Sequence, residues 1–244
     1  MSLNKHTSPR FAVVVPAAGV GKRMKSACPK QYLKIADKTV LEHTVDRLLE
    51  HPFIDKVVIA LGQHDEYFNS TSLPQNIHVD TVLGGQERVD SVLAGLHKLA
   101  ELNFEWAIVH DAARPCVSVE DINQLIKRCL SAKQGGLLAY PAKDTIKRAS
   151  STQEVESTVD RSVLWHALTP QMYQTTLLIN AIEHGLKQNY VITDESSAIE
   201  FIEQPSLLVE GASDNIKITR PEDLALATFI LSNQQTMKQE EVCE

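Results

Sequence analysis

The stretch FAVVVPAAGVGKRM, Phe11 to Met24, decides the fold. Its first half is a short β-branched run, which reads as a buried strand. Its second half is punctuated by glycine and then turns basic. In open α/β sheets, ligands sit at the carboxyl ends of the strands. Small residues at such a place let the backbone approach a ligand closely, and successive amide groups can cradle phosphate oxygens.

Further strands are read outward from this one at Lys56–Leu61, Ile77–Leu83, Trp106–His110, Gly136–Pro141 and Leu207–Glu210. Between them lie apolar residues at spacings of three and four, the period of one helix face. These give helices over Val40–His51, Glu87–Leu102, Val119–Leu130, Gln174–Gln188 and Asp194–Gln204. A last helix, Pro221–Ser232, has proline in its first turn and Thr219 as its cap. Alternation of strand and helix predicts an α/β fold, a Rossmann-like, mostly parallel open sheet flanked by helices. The segment Lys143–Val163 breaks the pattern. It is polar, with strand formers near Thr145–Arg148 and Val155–Val159, and reads either as a linker or as a protruding β-arm. The expected organisation is a single domain over 1–234, an arm at about 142–165, and a disordered tail at 235–244.

The 244 residues are 43% hydrophobic, enough for one domain with a sizeable core. The net charge of -7 and an aromatic content of 5% argue against a nucleic-acid partner, which calls for a basic face or stacking platforms. The four cysteines form no C-x-x-C pair, and neither they nor the nine histidines have zinc spacing. They read as reduced thiols of a reducing compartment, the cytoplasm. No apolar stretch reaches membrane-spanning length, the first ten residues lack a signal-peptide core, and no fused downstream domain is expected.

The loop after the first strand is neither of the two common phosphate loops. A Walker loop would need glycine where Pro16 stands and Ser or Thr where Arg23 stands. A dinucleotide fingerprint would need a small residue in place of Met24 and an early second strand, which Lys34–Lys38 does not supply. What is left is a glycine loop dense in positive charge, with Lys22, Arg23, Lys25 and Lys30. Phosphoryl and nucleotidyl transfer need such cations against the charge that grows on the transferred group and on the departing pyrophosphate. Taken alone, Gly84–Arg88 is an ordinary strand-to-helix turn, and Asp111 could simply cap a turn.

Pro16-Ala17-Ala18-Gly19, Arg23-Met24 and Pro29-Lys30-Gln31, with Val109–Pro115 and Asp214–Asp223, resemble the signature of the 2-C-methyl-D-erythritol 4-phosphate cytidylyltransferase family. The resemblance runs from about Phe11 to Leu226. It implies an enzyme that joins CMP from CTP to a sugar-alcohol phosphate with Mg²⁺ and releases pyrophosphate. It also implies residue roles. Arg23, Lys30 and Lys217 would be catalytic. Pro16, Ala17, Ala18, Gly19, Gly85, Gln86, Arg88, Ser91, Asp111 and Ala112 would hold the nucleotide. Arg114, Thr145, Arg161, Thr169 and Thr193 would hold the acceptor, and Asp111 with Asp214 the metal. The arm would embrace a second subunit, making a homodimer in which Thr145 and Arg161 serve the neighbouring site. The family often carries Asp where Gln86 stands, and an amide oxygen can likewise accept from a ribose hydroxyl. The rivals are a ribitol 5-phosphate cytidylyltransferase, which would differ only in the acceptor pocket, and a CTP-binding regulatory protein, which would bind without releasing pyrophosphate.

Overall fold

Strand β1 (Phe11–Pro16) shows how the sequence builds the core. Side chains alternate across a sheet. Phe11, Val13 and Val15 enter one apolar cluster, while Ala12 and Val14 enter the other. Both faces are buried, which is why the run is apolar throughout. The computed structural model describes residues 9–19 and 28–243, with 237–243 by backbone alone.

After β1 come a hairpin of β2 (Lys34–Ile35) and β3 (Lys38–Thr39), then α1 (Val40–Leu49), β4 (Ile54–Leu61) and β5 (Val79–Leu83). Next are α2 (Arg88–Glu101), β6 (Trp106–Val109), α3 (Val119–Ala132) and β7 (Gly136–Pro141). The chain then makes β8 (Ile146–Ala149), β9 (Val155–Val159) and β10 (Trp165–Gln174). It closes with α4 (Thr175–Lys187), α5 (Glu195–Phe201), β11 (Leu207–Glu210) and α6 (Pro221–Cys243).

Seven strands form one sheet in the order β11-β7-β10-β6-β1-β4-β5. Every pairing is parallel except those of β10, which runs against both β6 and β7. Helices α1 and α3 cover one face through Leu41, Val45, Leu48, Ile122 and Leu125. Helices α2, α4 and α5 cover the other through Val92, Leu96, Leu178, Ala181 and Ile199. The expected α/β sheet flanked by helices is the observed one.

Strand β10 is the element that the sequence reading passes over. Its register slips between Ala167 and Gln171, where Pro170 stands, so it lacks the even alternation by which strands are recognised. The end of α6 also differs from expectation, running past Ser232 to Cys243. Gln234 holds this part of the helix, donating to the Cys116 carbonyl at 2.9 Å and accepting from Arg47 at 2.9 Å. At the start of α6 the cap is reversed. The Asp223 carboxylate accepts from the amides of Thr219 and Arg220 and from the Thr219 hydroxyl.

Between β7 and β10, strands β8 and β9 pair only with each other, as a separate antiparallel ribbon. Most of its residues are exposed.

Candidate active site

The carboxyl ends of β1, β5 and β6 open into a cleft of about 430 Å³, a size suited to a small ligand. Its walls come from three places. Pro16 to Gly19 follow β1, Gly85 to Arg88 with Ser91 follow β5 and open α2, and Asp111 to Ala113 follow β6. Lys30, Gln31, Lys217 and Thr219 complete it.

The loops are held from behind. Buried Gln31 donates to the carbonyls of Ala17 and Gly19 at 2.7 and 3.0 Å. Those two carbonyls therefore point at Gln31, and the amide of Ala18, antiparallel to the first of them across its peptide plane, points away. The Ser91 hydroxyl accepts from the Gly85 amide at 3.2 Å. At Gly84 a Cβ would lie 2.8 Å from the Ala18 side chain, so only glycine lets the β5 loop come this close to the β1 loop.

Asp111 is the electrostatic centre, its side chain only 9% exposed. Arg88 Nε lies 3.1 Å from Oδ1, Lys217 Nζ 2.8 Å from Oδ2, and Arg114 Nε 3.5 Å from Oδ2. Burial alone would raise its pKa. The charges of Arg88, Lys217 and Arg114 outweigh burial and hold it far below the usual carboxylate range. Arg88 also makes a two-pronged pair with Glu195, at 2.7 and 3.3 Å. Burial disfavours its charge, but the Glu195 and Asp111 carboxylates more than restore it, so its pKa is raised.

His110 fixes the turn that carries Asp111. Its Nε2 faces the Arg114 carbonyl at 3.0 Å, which requires a proton on that nitrogen. Its Nδ1 then accepts from the Thr169 hydroxyl, which in turn accepts from the Asp111 amide at 3.1 Å. Burial pushes the His110 pKa down to about 4, so the ring is neutral near pH 7.

All ten expected nucleotide residues, together with Lys30 and Lys217, line this one cleft. Arg23 lies outside the described residues. The acceptor set is placed otherwise. Thr169 is buried beneath the Asp111 turn, where its hydroxyl is spent on His110 and Asp111. Arg114 is half-buried beside Asp111, donating to the Asn215 carbonyl at 2.6 Å. Thr193 is exposed outside the cleft lining, and Thr145 and Arg161 are exposed beside the ribbon. Of the expected metal pair, Asp111 lies in the cleft lining. Asp214 is exposed and outside the lining, and its charge is felt at Cys116 and Asp121. Only its backbone neighbours reach inward: Asn215 is buried and donates to the Thr169 carbonyl at 2.8 Å.

Sequence reasoning gives no role of their own to His110 or Gln31. Glu195 reads there either as part of an Ile192–Glu195 segment lining the acceptor pocket or as the start of a helix, and nothing local links it to Arg88. Gln31 does stand in the quoted Pro29-Lys30-Gln31 segment, which is the signal that could have singled it out.

Among the described residues, no three of His, Cys, Asp and Glu gather into a metal cage. Asp111, whose pKa is held low by its cationic neighbours, nevertheless fits Mg²⁺, which commonly takes one or two carboxylates and leaves the other positions to phosphates and water.

A model of the 2-C-methyl-D-erythritol 4-phosphate cytidylyltransferase family matches residues 11–233. The chain is 54% identical over 233 residues to the 2-C-methyl-D-erythritol 4-phosphate cytidylyltransferase of Colwellia psychrerythraea, covering 92% of this chain and 96% of the relative. It is 52% identical over 234 residues to that of Vibrio parahaemolyticus, covering 96% of this chain and all of the relative (100%). The crystal structure of the Francisella tularensis enzyme superposes with a TM-score of 0.79 at 34% identity, over 91% of this chain and 99% of that one. The strand-end cleft and its basic lining are thus set in a fold and a sequence shared along nearly the whole chain, and the protein belongs to the 2-C-methyl-D-erythritol 4-phosphate cytidylyltransferase family.

Proposed function

We propose that this chain transfers CMP from CTP to 2-C-methyl-D-erythritol 4-phosphate, giving 4-diphosphocytidyl-2-C-methyl-D-erythritol and pyrophosphate, a step of non-mevalonate isoprenoid precursor synthesis. The observation that carries the reading is the cleft itself, in which Lys30, Lys217 and Arg88 stand with a buried carboxylate at the mouth of a glycine loop. An oxygen of the acceptor phosphate attacks the α-phosphorus of CTP, and the bond from that phosphorus to pyrophosphate breaks. The nucleophile is already anionic, so positioning and charge stabilisation carry the rate rather than a strong base. Lys30 and Lys217 face the phosphates, a task that the family resemblance also gives to Arg23. Gly85, Gln86 and Ser91 hold the nucleoside. Asp111 holds Mg²⁺, which when bound offsets negative charge on the triphosphate.

The acceptor phosphate falls to Arg161, whose planar fork suits it. Arg161 donates to the Lys143 carbonyl at the root of the ribbon and does not line its own chain's cleft. That placement supports a homodimer in which the arm completes the neighbouring site. None of Cys28, Cys116 and Cys129 is in a disulfide, and no helix among the described residues is long and apolar enough to cross a membrane.

The test is pyrophosphate release from CTP and Mg²⁺, with methylerythritol phosphate and ribitol 5-phosphate side by side. Fast release with methylerythritol phosphate alone is expected. Release only with ribitol 5-phosphate would keep the chemistry and overturn the substrate, and CTP binding without release would leave a regulatory protein. Arg161→Ala is expected to raise KM for the acceptor and leave CTP affinity unchanged. Mixed with Lys30→Ala, it should recover activity in heterodimers. No recovery despite demonstrated subunit exchange would place each site within one chain.

A further inference from the structure

Three of the Arg88 nitrogens are engaged by two carboxylates. Nη1 and Nη2 donate to Glu195 at 2.7 and 3.3 Å, and Nε donates to Asp111 Oδ1 at 3.1 Å. Asp111 Oδ2 receives Lys217 at 2.8 Å. Charge therefore alternates along one line: Glu195, Arg88, Asp111, Lys217. The last three line the cleft. Glu195, 2% exposed, does not, and its side chain reaches the cleft through Arg88.

Burying a carboxylate is unfavourable unless it is well paired. Asp111 is shared with Lys217 and Arg114, so Glu195 supplies much of the charge that Arg88 needs. The second carboxylate adds geometry, because a two-pronged pair fixes the plane of the guanidinium. That plane matters for Asp111, whose terminal torsion is intrinsically broad. A hydrogen bond from a fixed Nε to Oδ1 selects one setting of it and turns Oδ2 to Lys217. Glu195 is itself firmly seated. Its neighbour Asp194 accepts from Gln171 at 2.9 Å, and Gln171 accepts from the Ser196 amide at 2.8 Å, which docks the start of α5 on β10.

We propose that Glu195 is a positioning residue for cytidylyl transfer: it holds the plane of Arg88 and through it fixes which Asp111 oxygen faces Lys217. The inference rests on this cleft being the site of that reaction. A merely structural tie between α2 and α5 would affect unfolding and nothing else.

The test compares wild-type protein with Glu195→Gln, Arg88→Gln and the double variant. Pyrophosphate release from CTP and methylerythritol phosphate is read together with thermal unfolding. Glu195→Gln keeps the shape and removes the charge. It is expected to lower kcat by about 10–100-fold, as loss of partners that orient ligating groups does elsewhere. KM for CTP should change by less than about 3-fold, since substrate binding is not what is lost. If Glu195 acts through Arg88, the double variant is no slower than Arg88→Gln alone. Multiplying losses would overturn the proposal, and so would an unchanged kcat with a lowered unfolding midpoint. Should Glu195→Gln not fold, Glu195→Asp carries the same expectation, because it keeps the charge but withdraws the carboxylate. A wild-type protein that releases no pyrophosphate would overturn the functional reading first, and this inference with it.

Discussion

Replacing Lys30 with alanine is expected to lower kcat by about 10²–10³, the usual effect of removing one donor aimed at transition-state charge. The local structure supports an effect on the chemical step rather than on folding. Lys30 opens a short 3-10 turn whose next two residues, Gln31 and Tyr32, are buried. Gln31 pins that turn to the β1 loop, and Tyr32 bonds to Asp65 at 2.6 Å. The backbone that carries Lys30 is thus anchored without its side chain. Lys30 Nζ donates to the Ile218 carbonyl at 2.8 Å, beside the residue that bears the second cleft lysine. Steady-state kinetics with pyrophosphate detection separate the cases. A loss in kcat with KM for CTP little changed places the interaction in the transition state. Normal kcat with weaker CTP binding would make Lys30 a ground-state contact.

Asp111→Asn is expected to remove activity and to destabilise the fold by about 3–5 kcal/mol, the usual result of breaking a buried ion pair from one side. The substitution keeps the shape and leaves Arg88, Lys217 and Arg114 crowded with one anion fewer. Equilibrium unfolding in urea measures the loss. The pH dependence has a definite sign. The folded pKa of Asp111 lies below its ordinary value of 3.8, so its contribution is fully present above that value. It disappears as pH falls further, toward the folded pKa. The gap between wild type and variant should therefore be the same at about pH 7 and about pH 5, and should narrow only below about pH 4. Equal stability at neutral pH would show that the three cations do not need this anion to be buried.

The frame of the protein was legible because its elements state their burial locally. The β1 run is apolar on both faces, and Leu41, Val45 and Leu48 fall on one side of α1 and into one cluster. The cleft residues were legible for another reason: Lys30, Asp111 and Lys217 lie in long motifs with little freedom. What was not legible depends on distant parts of the chain. Glu195 is 107 residues from Arg88, and nothing in its own neighbourhood points to that partner. Thr169 looks like a ligand residue in a row of letters, and only its burial beneath His110 shows where the hydroxyl is used. In the segment from Asp214 to Lys217 the letters do not show which side chains turn inward, and it is Asn215 and Lys217 that do so.

The reversed direction of β10 has a consequence for how such a protein can change over time. Each parallel strand hands its following loop to the ligand edge, but β10 brings to that edge the segment before it. Residues 142–164 therefore leave and re-enter the sheet at neighbouring points, since Pro141 at the end of β7 pairs with Trp165 at the start of β10. The excursion is closed at its base like a loop of cord held by a clip. Lengthening, shortening or recolouring it with other side chains leaves the register of the seven strands untouched. The cleft is carried by the sheet and the loops at its strand ends, while the arm can vary as a module without disturbing the strands that carry the cleft.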